Sequence, residues 1–168
     1  EPFGLFLEWF EQAQHAAELP NPNAMTLATV DPDGSPSARI VLCKGIDAQT
    51  GSLVWYSNYR SRKGHALNAN PRAAVVFHWD KAERQVRLEG IVSKTSAAQS
   101  DAYFASRAWE SRVGAWASHQ SQPIESRQAL MEQVAQTIIE RDIDIAAAMR
   151  GDAVEILRPP FWGGYRLF

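Results

Sequence analysis

The 168-residue sequence predicts an α+β fold that is mainly β, a closed antiparallel barrel with flanking helices. Five runs with strand character follow one another between residues 24 and 94, separated by short links or turn residues. One short helical segment interrupts them, which is typical of an antiparallel barrel. An apolar segment beginning near Trp162 adds a sixth strand, so we expect about six strands.

An amphipathic helix precedes the strands. Its apolar residues recur at helical spacing, and Pro20 and Pro22 follow its end; they are Leu5, Phe6, Trp9, Phe10, Ala13 and Ala17. The expected strands are Ala24–Val30, Ala38–Lys44, Leu53–Asn58, Ala73–Trp79 and Gln85–Lys94. The segment Asp31-Pro32-Asp33-Gly34 predicts a hairpin between the first two strands.

Helical segments return after residue 94. Thr95 or Ser96 is suited to cap the first of them, and apolar residues recur at helical spacing in the longest. The expected helices cover residues 97–107, 111–119, 125–141 and part of 142–156. We expect a single domain over residues 1–168 that lacks its C-terminal segment, because the chain stops within an apolar strand.

Composition excludes several classes of protein. A net charge of −2 provides no global positive field for nucleic acid. Cys43 is the single cysteine, which excludes a disulfide framework and fits a reducing cytoplasm. No apolar run approaches the length of a membrane span. We therefore expect a cytoplasmic protein without nucleic-acid or membrane partners.

The segment Ser61-Arg62-Lys63-Gly64 follows a predicted strand and opens a short helix. Ser61 is suited to cap it, which places Arg62 and Lys63 in the first turn. The helix dipole disfavours cations there by roughly 0.3–1 kcal/mol each, and a bound phosphate would explain both. A solvated basic helix start explains the same residues without a ligand.

A second candidate phosphate site comprises Tyr103, Arg107 and Ser111. The first two lie four positions apart and share a face of the predicted helix. Phenol, guanidinium and hydroxyl groups together suit a phosphate. A surface stack of the tyrosine on the arginine is the simpler alternative.

Further polar positions carry weaker signals. Arg39 and Lys44 lie five positions apart, an odd number, so their side chains point to opposite faces of a regular strand. They are either two separate anion contacts or two snorkelling edge residues. Gln85 suits the edge of a heteroaromatic ring or simply lies on a half-exposed strand. Gln120 and Ser121 bind a ligand or cap the next helix.

No nucleophile or metal site is evident. The four histidines lack partners at metal-ligand spacing, and the HExxH, CxxC, GxSxG, P-loop and GxGxxG motifs are absent. We therefore assign no catalytic residue and expect no metal. Phosphate sites without a nucleophile favour an enzyme whose cofactor carries the chemistry.

Taken together, the motifs resemble the pyridoxine (pyridoxamine) 5′-phosphate oxidase family. They occur in family order and cover nearly the whole chain. The matching segments are Asn23–Met25 with Ala28–Val30, Arg39–Lys44, Tyr56–Asn58, Ser61–Gly64, Arg84–Val86, Tyr103–Arg107, Gly114–Ser118 with Gln120-Ser121, and Phe161–Tyr165.

The resemblance implies an FMN-binding split β-barrel that forms a homodimer, with FMN in clefts at the subunit interface. It assigns FMN to Arg39, Ile40, Val41, Leu42, Cys43, Lys44, Tyr56, Ser57, Arg62, Lys63, Gln85, Gln120 and Ser121. It assigns the phosphate of the vitamin B6 substrate to Lys44, Tyr103, Arg107 and Ser111.

The implied reaction oxidises pyridoxine or pyridoxamine 5′-phosphate to pyridoxal 5′-phosphate. A hydride passes from C4′ of the substrate to N5 of the flavin, and O2 is reduced to H2O2. Two alternatives remain: a related flavin oxidase acting on a phenazine precursor, and a non-catalytic carrier of FMN or pyridoxal phosphate.

The chain also departs from the family pattern. Ala108 stands where the family usually has proline, and Arg112 where it usually has glutamine. Residues 142–156 form a longer segment than the family leads us to expect. The family continues beyond the Trp-Gly-Gly strand with segments that reach flavin and substrate.

Overall fold

The computed structural model of the protein describes residues 2–16 and 19–168, so the helical position assigned to Ala17 lies outside the described residues. The described residues form seven strands and six helices. The strands are β1 Ala24–Val30, β2 Pro36–Leu42, β3 Gly45–Asp47, β4 Ser52–Asn58, β5 Arg72–Trp79, β6 Arg84–Lys94 and β7 Trp162–Leu167. The helices are α1 Pro2–His15, α2 Arg62–Ala69, α3 Ala97–Ala105, α4 Trp109–Ala117, α5 Arg127–Glu140 and α6 Ile145–Arg150.

All seven strands belong to one antiparallel sheet with the order β2-β1-β5-β6-β7-β4-β3. The predicted hairpin joins β1 and β2, in the register Val30↔Pro36 to Ala24↔Leu42. Its turn closes because Gly34 adopts a φ of 86° and donates its N–H to the Asp31 carbonyl at 2.9 Å. The hairpin follows directly from the local sequence.

The sheet departs from the sequence prediction in two respects. A seventh strand, β3, lies in the expected link after residue 44 and pairs with β4 through Gly45↔Val54. The order also ends at β2 and β3, and no pairing between these two strands closes it in the described part of the chain. The sheet is therefore a half-barrel, as in a split barrel, rather than the closed barrel predicted from strand spacing.

The described residues divide into two compact units. The sheet unit contains the described residues up to Tyr56, together with Lys63–Lys94 and Tyr165–Phe168. The helical unit contains Ser57–Arg62 and Thr95–Gly164. The prediction of one domain stays a prediction.

An aromatic cluster fills the core of the sheet unit. Phe6 of α1 lies 5.4 Å from Phe77 of β5 between ring centroids, and Phe10 lies 5.7 Å from the same ring. Phe77 is fully buried, and its neighbour Trp79 is 2% exposed. Full burial of such a side chain stabilises a fold by roughly 1.5–3 kcal/mol, so these rings anchor α1 on the sheet.

The helices of the helical unit begin and end where local polar groups allow it. Ser96 caps α3 by accepting the Gln99 N–H at 3.1 Å, and Ser126 caps α5 by accepting the Ala129 N–H at 3.0 Å. The predicted helix over 97–107 ends earlier, at Ala105, and the Ser106 hydroxyl donates to the Tyr103 carbonyl there. Arg107 therefore follows the helix instead of lying on it.

Candidate functional site

A cavity of about 310 Å³ lies within the helical unit. Helix α4 forms one wall with small side chains, and the ends of β4 and β7 contribute the others. The lining residues are Asn58, Arg107, Ser111, Gly114, Ala115, Ser118, Gln120 and Trp162. Hydroxyl, amide and guanidinium groups converge here, which suits a polar or anionic ligand.

Arg107 carries the positive charge of this cavity. Its Nη1 atom is buried and has no hydrogen-bond partner among the described residues. The guanidinium carbon lies 4.7 Å from the centroid of the Trp162 ring. Burial lowers the pKa of Arg107, and Tyr103 opposes that shift. A buried donor without an acceptor is costly, so the site is suited to an anion that accepts from it.

Tyr103 reaches the same tryptophan from α3. Its ring stacks on Trp162 with 6.2 Å between centroids and 4° between planes. Burial raises the pKa of the Tyr103 hydroxyl, and Arg107 partly offsets this. Both side chains are half-buried and pack on Trp162, a partner that the sequence alternative of a tyrosine–arginine stack does not include. Contact with Trp162, not a shared helical face, brings the two residues to one site.

A hydrogen bond joins Gln120, which lines the cavity, to Ser57. The Ser57 hydroxyl donates to Oε1 of Gln120 at 3.3 Å, across 63 positions in sequence. Ser57 is buried at the end of β4. Ser121 follows with a φ of 69°, a left-handed conformation that turns the chain after Gln120. Two of the expected cofactor residues are thus in contact.

Lys63 and Arg39 concentrate positive charge in the sheet unit. Lys63 is buried in the first turn of α2, and burial, together with the charge of Arg39, lowers its pKa to about 8. Arg39 also donates hydrogen bonds to the Thr29 and Ser37 hydroxyls, each at 2.8 Å. Two cations beside a helix N-terminus suit a phosphate group.

The other expected residues of the sheet unit lie on β2, β4 and β6 or just beyond β2. Burial alternates along β2, with Ile40 and Leu42 exposed and Val41 buried. Cys43 follows as a buried thiol that donates to the Gly45 carbonyl at 3.4 Å, and Lys44 is exposed. Tyr56 is half-buried on β4.

Gln85 is exposed on β6, opposite His78 of β5. Arg62, the first residue of α2, is also exposed, unlike its neighbour Lys63. Lys44 and Gln85 belong to the sheet unit, whereas Arg62 and the cavity residues belong to the helical unit. The structure thus brings predicted residues together in two groups, Arg39 with Lys63, and Arg107 with Ser111 and Gln120.

Five cavity residues have no role predicted from the sequence: Asn58, Gly114, Ala115, Ser118 and Trp162. All five lie within motifs that carry the family resemblance, so the motifs were the available signal. The sequence predicts only a strand position for Trp162, yet its indole contacts both Tyr103 and Arg107.

Within residues 2–16 and 19–168, no group of three or more His, Cys, Asp or Glu side chains is placed to hold a metal ion. None of the described helices combines the length and apolar character needed to cross a membrane.

Comparison with known sequences gives a consistent family. A sequence model of the pyridoxamine 5′-phosphate oxidase family matches residues 12–139, which is more than half of the chain. The chain is 55% identical to pyridoxine/pyridoxamine 5′-phosphate oxidase of Bordetella petrii over 99% of its own length and 72% of that protein. The identity to the protein of the same name from Paraburkholderia xenovorans is also 55%, over 99% and 71%.

Solved structures agree with this fold. PhzG from Burkholderia lata 383, in complex with tetrahydrophenazine-1-carboxylic acid, matches with a TM-score of 0.82 and 28% identity over 99% of this chain and 75% of that one. A pyridoxamine 5′-phosphate oxidase-related, FMN-binding protein from Nostoc punctiforme matches with a TM-score of 0.71 and 17% identity, over 100% and 81%. The second match bears on fold alone. This chain, a split-barrel protein of the flavin oxidase type, belongs to the pyridoxamine 5′-phosphate oxidase family.

Proposed function

We propose that the protein is an FMN-dependent oxidase that converts pyridoxine 5′-phosphate or pyridoxamine 5′-phosphate to pyridoxal 5′-phosphate. The observation that carries the proposal is the buried, unpartnered Nη1 of Arg107 at a cavity that Ser111 also lines. Both substrates bear a phosphate ester that would accept from these groups. The names of the relatives at 55% identity support the same substrates.

The substrate phosphate is assigned to Arg107, Ser111, Tyr103 and Lys44. The Arg107 guanidinium neutralises the phosphate charge, and the two hydroxyls donate to its remaining oxygens. Holding one end of a small ring compound orients its other end, and such orientation contributes up to roughly 7–11 kcal/mol to catalysis. The protein's part in the reaction is therefore mainly positional, and we assign no acid or base.

The residues of the sheet unit fit the cofactor proposed here. Lys63 and Arg39 suit the FMN phosphate, because Lys63 is buried in the first turn of α2 and Arg39 is close enough to lower its pKa. The further FMN contacts that we propose are those implied by the family resemblance, including Arg62, Gln85 and Ser121. FMN, when bound, would supply a two-electron acceptor for the hydride of the substrate's C4′, and O2 would be the final electron acceptor. With the amine, one water would also be consumed, and the products would be the aldehyde, ammonia and H2O2.

We also propose a cytoplasmic homodimer with FMN at the interface, acting in vitamin B6 metabolism. Ile40 and Leu42 support a partner surface, because they are 63% and 39% exposed on β2, a terminal strand of the sheet order.

An oxygen-uptake assay tests the function. The purified protein, supplied with FMN, is expected to consume O2 with either phosphorylated substrate and to form pyridoxal 5′-phosphate. Unphosphorylated pyridoxamine is the matched control, because it has the same ring but no group for Arg107. Comparable turnover of both amines would contradict the phosphate assignment, and no turnover with FMN bound would favour a carrier.

A second candidate function is oxidation of a phenazine precursor. The match to PhzG in complex with tetrahydrophenazine-1-carboxylic acid favours it, since a carboxylate is also an anion that Arg107 would bind. The same assay with tetrahydrophenazine-1-carboxylic acid separates the two. Turnover of that compound without turnover of either B6 phosphate would replace the first proposal.

A further inference from the structure

We infer that the ion pair Asp101–Arg158 is a positioning device that holds Trp162, and through Trp162 the Arg107 side chain, in a phosphate-binding arrangement. The inference rests on the proposed function and adds residues to which the family resemblance assigned no role. All of these residues belong to the helical unit.

Arg158 connects α3 to the first residue of β7. Its Nε donates to Oδ1 of Asp101 on α3 at 2.6 Å. Its Nη1 donates to the carbonyl oxygen of Trp162. One guanidinium therefore ties the backbone of the tryptophan to the helix against which its ring packs.

The ring of Trp162 completes the connection. It meets Phe104 of α3 edge-on at 5.1 Å, stacks on Tyr103 of the same helix, and lies beneath the Arg107 guanidinium. Trp162 is 7% exposed. A displacement of its backbone would therefore move the surface on which Arg107 and Tyr103 rest.

The burial of Arg158 distinguishes this pair from an ordinary surface ion pair. Its side chain is only 14% exposed, although Asp101 is 59% exposed. An ion pair with one shielded partner and a second hydrogen bond to backbone is held in one geometry. The exposed pair Arg150–Asp152, with side chains 63% and 55% exposed, offers a matched control in the same unit.

The experiment measures three affinities in each variant: those for pyridoxamine 5′-phosphate and unphosphorylated pyridoxamine by calorimetry, and that for FMN by flavin fluorescence. Arg158→Gln is expected to weaken pyridoxamine 5′-phosphate binding about tenfold, equivalent to about 1.4 kcal/mol. FMN affinity and the weak binding of unphosphorylated pyridoxamine should stay within about twofold, since neither uses Arg107. Arg150→Gln should change nothing.

A double-mutant cycle identifies the pair as one unit. Asp101→Asn is expected to weaken pyridoxamine 5′-phosphate binding less than Arg158→Gln does, because the hydrogen bond from Arg158 to the Trp162 carbonyl remains. The double variant should bind as the Arg158→Gln variant does, within about twofold, because Asp101 acts only through Arg158. Additive losses would overturn the inference.

Other outcomes are equally decisive. If Arg158→Gln fails to fold, Asp101→Asn alone carries the test, and unchanged phosphate affinity in that variant overturns the inference. Equal losses for phosphorylated and unphosphorylated amines would show a purely structural role and also overturn it. If the wild-type protein does not bind pyridoxamine 5′-phosphate, the proposed function fails. Inorganic phosphate then replaces it as the calorimetric probe, with the same variants and the same criteria.

Discussion

Gly163 lies so close to Tyr59 that a Cβ on the glycine would stand 2.1 Å from the phenol oxygen. The Tyr59 hydroxyl donates a hydrogen bond of 3.2 Å to the carbonyl oxygen of Gly164, the residue that follows Gly163. Ser100 completes the contact, with its Oγ 2.9 Å from the same Cβ position. The absence of a side chain at residue 163 thus lets β7 begin beside Tyr59 and α3.

Gly163→Ala is expected to lower the free energy of unfolding by about 1–3 kcal/mol, because the methyl group forces Tyr59 and Ser100 apart. Chemical denaturation measures it. Gly114→Ala is the control, because its Cβ would meet nothing within 4 Å on helix α4. That change should instead stabilise the protein by roughly 0.5–1 kcal/mol. Equal effects of the two substitutions would show that the close approach to Tyr59 is unimportant.

Arg107→Met is expected to separate stability from ligand binding. Loss of the stack on Trp162 lowers the free energy of unfolding by about 0.5–2 kcal/mol. Removal of a buried donor without an acceptor raises the same quantity by about 1–3 kcal/mol. The free energy of unfolding should therefore change little, while pyridoxamine 5′-phosphate affinity falls at least about tenfold through loss of a charged hydrogen bond. Denaturation and calorimetry measure the two quantities. FMN affinity serves as the internal control, and an equal loss there would contradict the assignment of Arg107 to the substrate.

Lys63 is expected to make FMN affinity depend on pH. In the free protein its pKa is lowered to about 8, first by burial and then by Arg39. A bound phosphate favours the protonated amine, so FMN affinity should fall above pH 8 by at most about tenfold per pH unit. Fluorescence titration with FMN between pH 7 and 9 measures this.

Riboflavin, which lacks the phosphate, and Lys63→Met with FMN should both give flat profiles over that range. A slope that persists in the Lys63→Met variant would assign the titration to another group. The folding stability of the ligand-free protein depends on pH with the opposite sign. As the pH rises from about 8 towards 10.5, the unfolded chain retains a proton that folded Lys63 has released, so stability should rise.

Cys43 is expected to be almost inert in the folded protein. Burial raises the pKa of its thiol from 9.0 to about 11, which lowers the thiolate fraction near pH 8 about hundredfold. Alkylation by iodoacetamide, measured by mass spectrometry, should be correspondingly slow. The same reagent should label the protein readily in guanidinium chloride, and fast labelling of the folded form would contradict the buried position.

Local signals predicted most of the elements. The expected run Ala24–Val30 matches β1, and the boundaries of the other expected strands lie within two residues of the structure. These positions depend on alternation and turn residues, which are properties of neighbouring amino acids. The three-residue strand β3 escaped prediction because its pairing with β4, not its own sequence, defines it.

Sequence by itself determined most of the elements, the residue types proposed to bind phosphate and the family. Only the tertiary structure decided the strand order, in which β7 lies between β6 and β4, and the neighbours of each charge. Arg107 illustrates the difference. Its residue type is local, whereas its value as an anion site depends on burial beside Trp162, 55 positions later in the chain. Burial and strand pairing depend on contacts between segments that are distant in the sequence. Such contacts desolvate a charged side chain, and desolvation changes how strongly that charge interacts with a ligand.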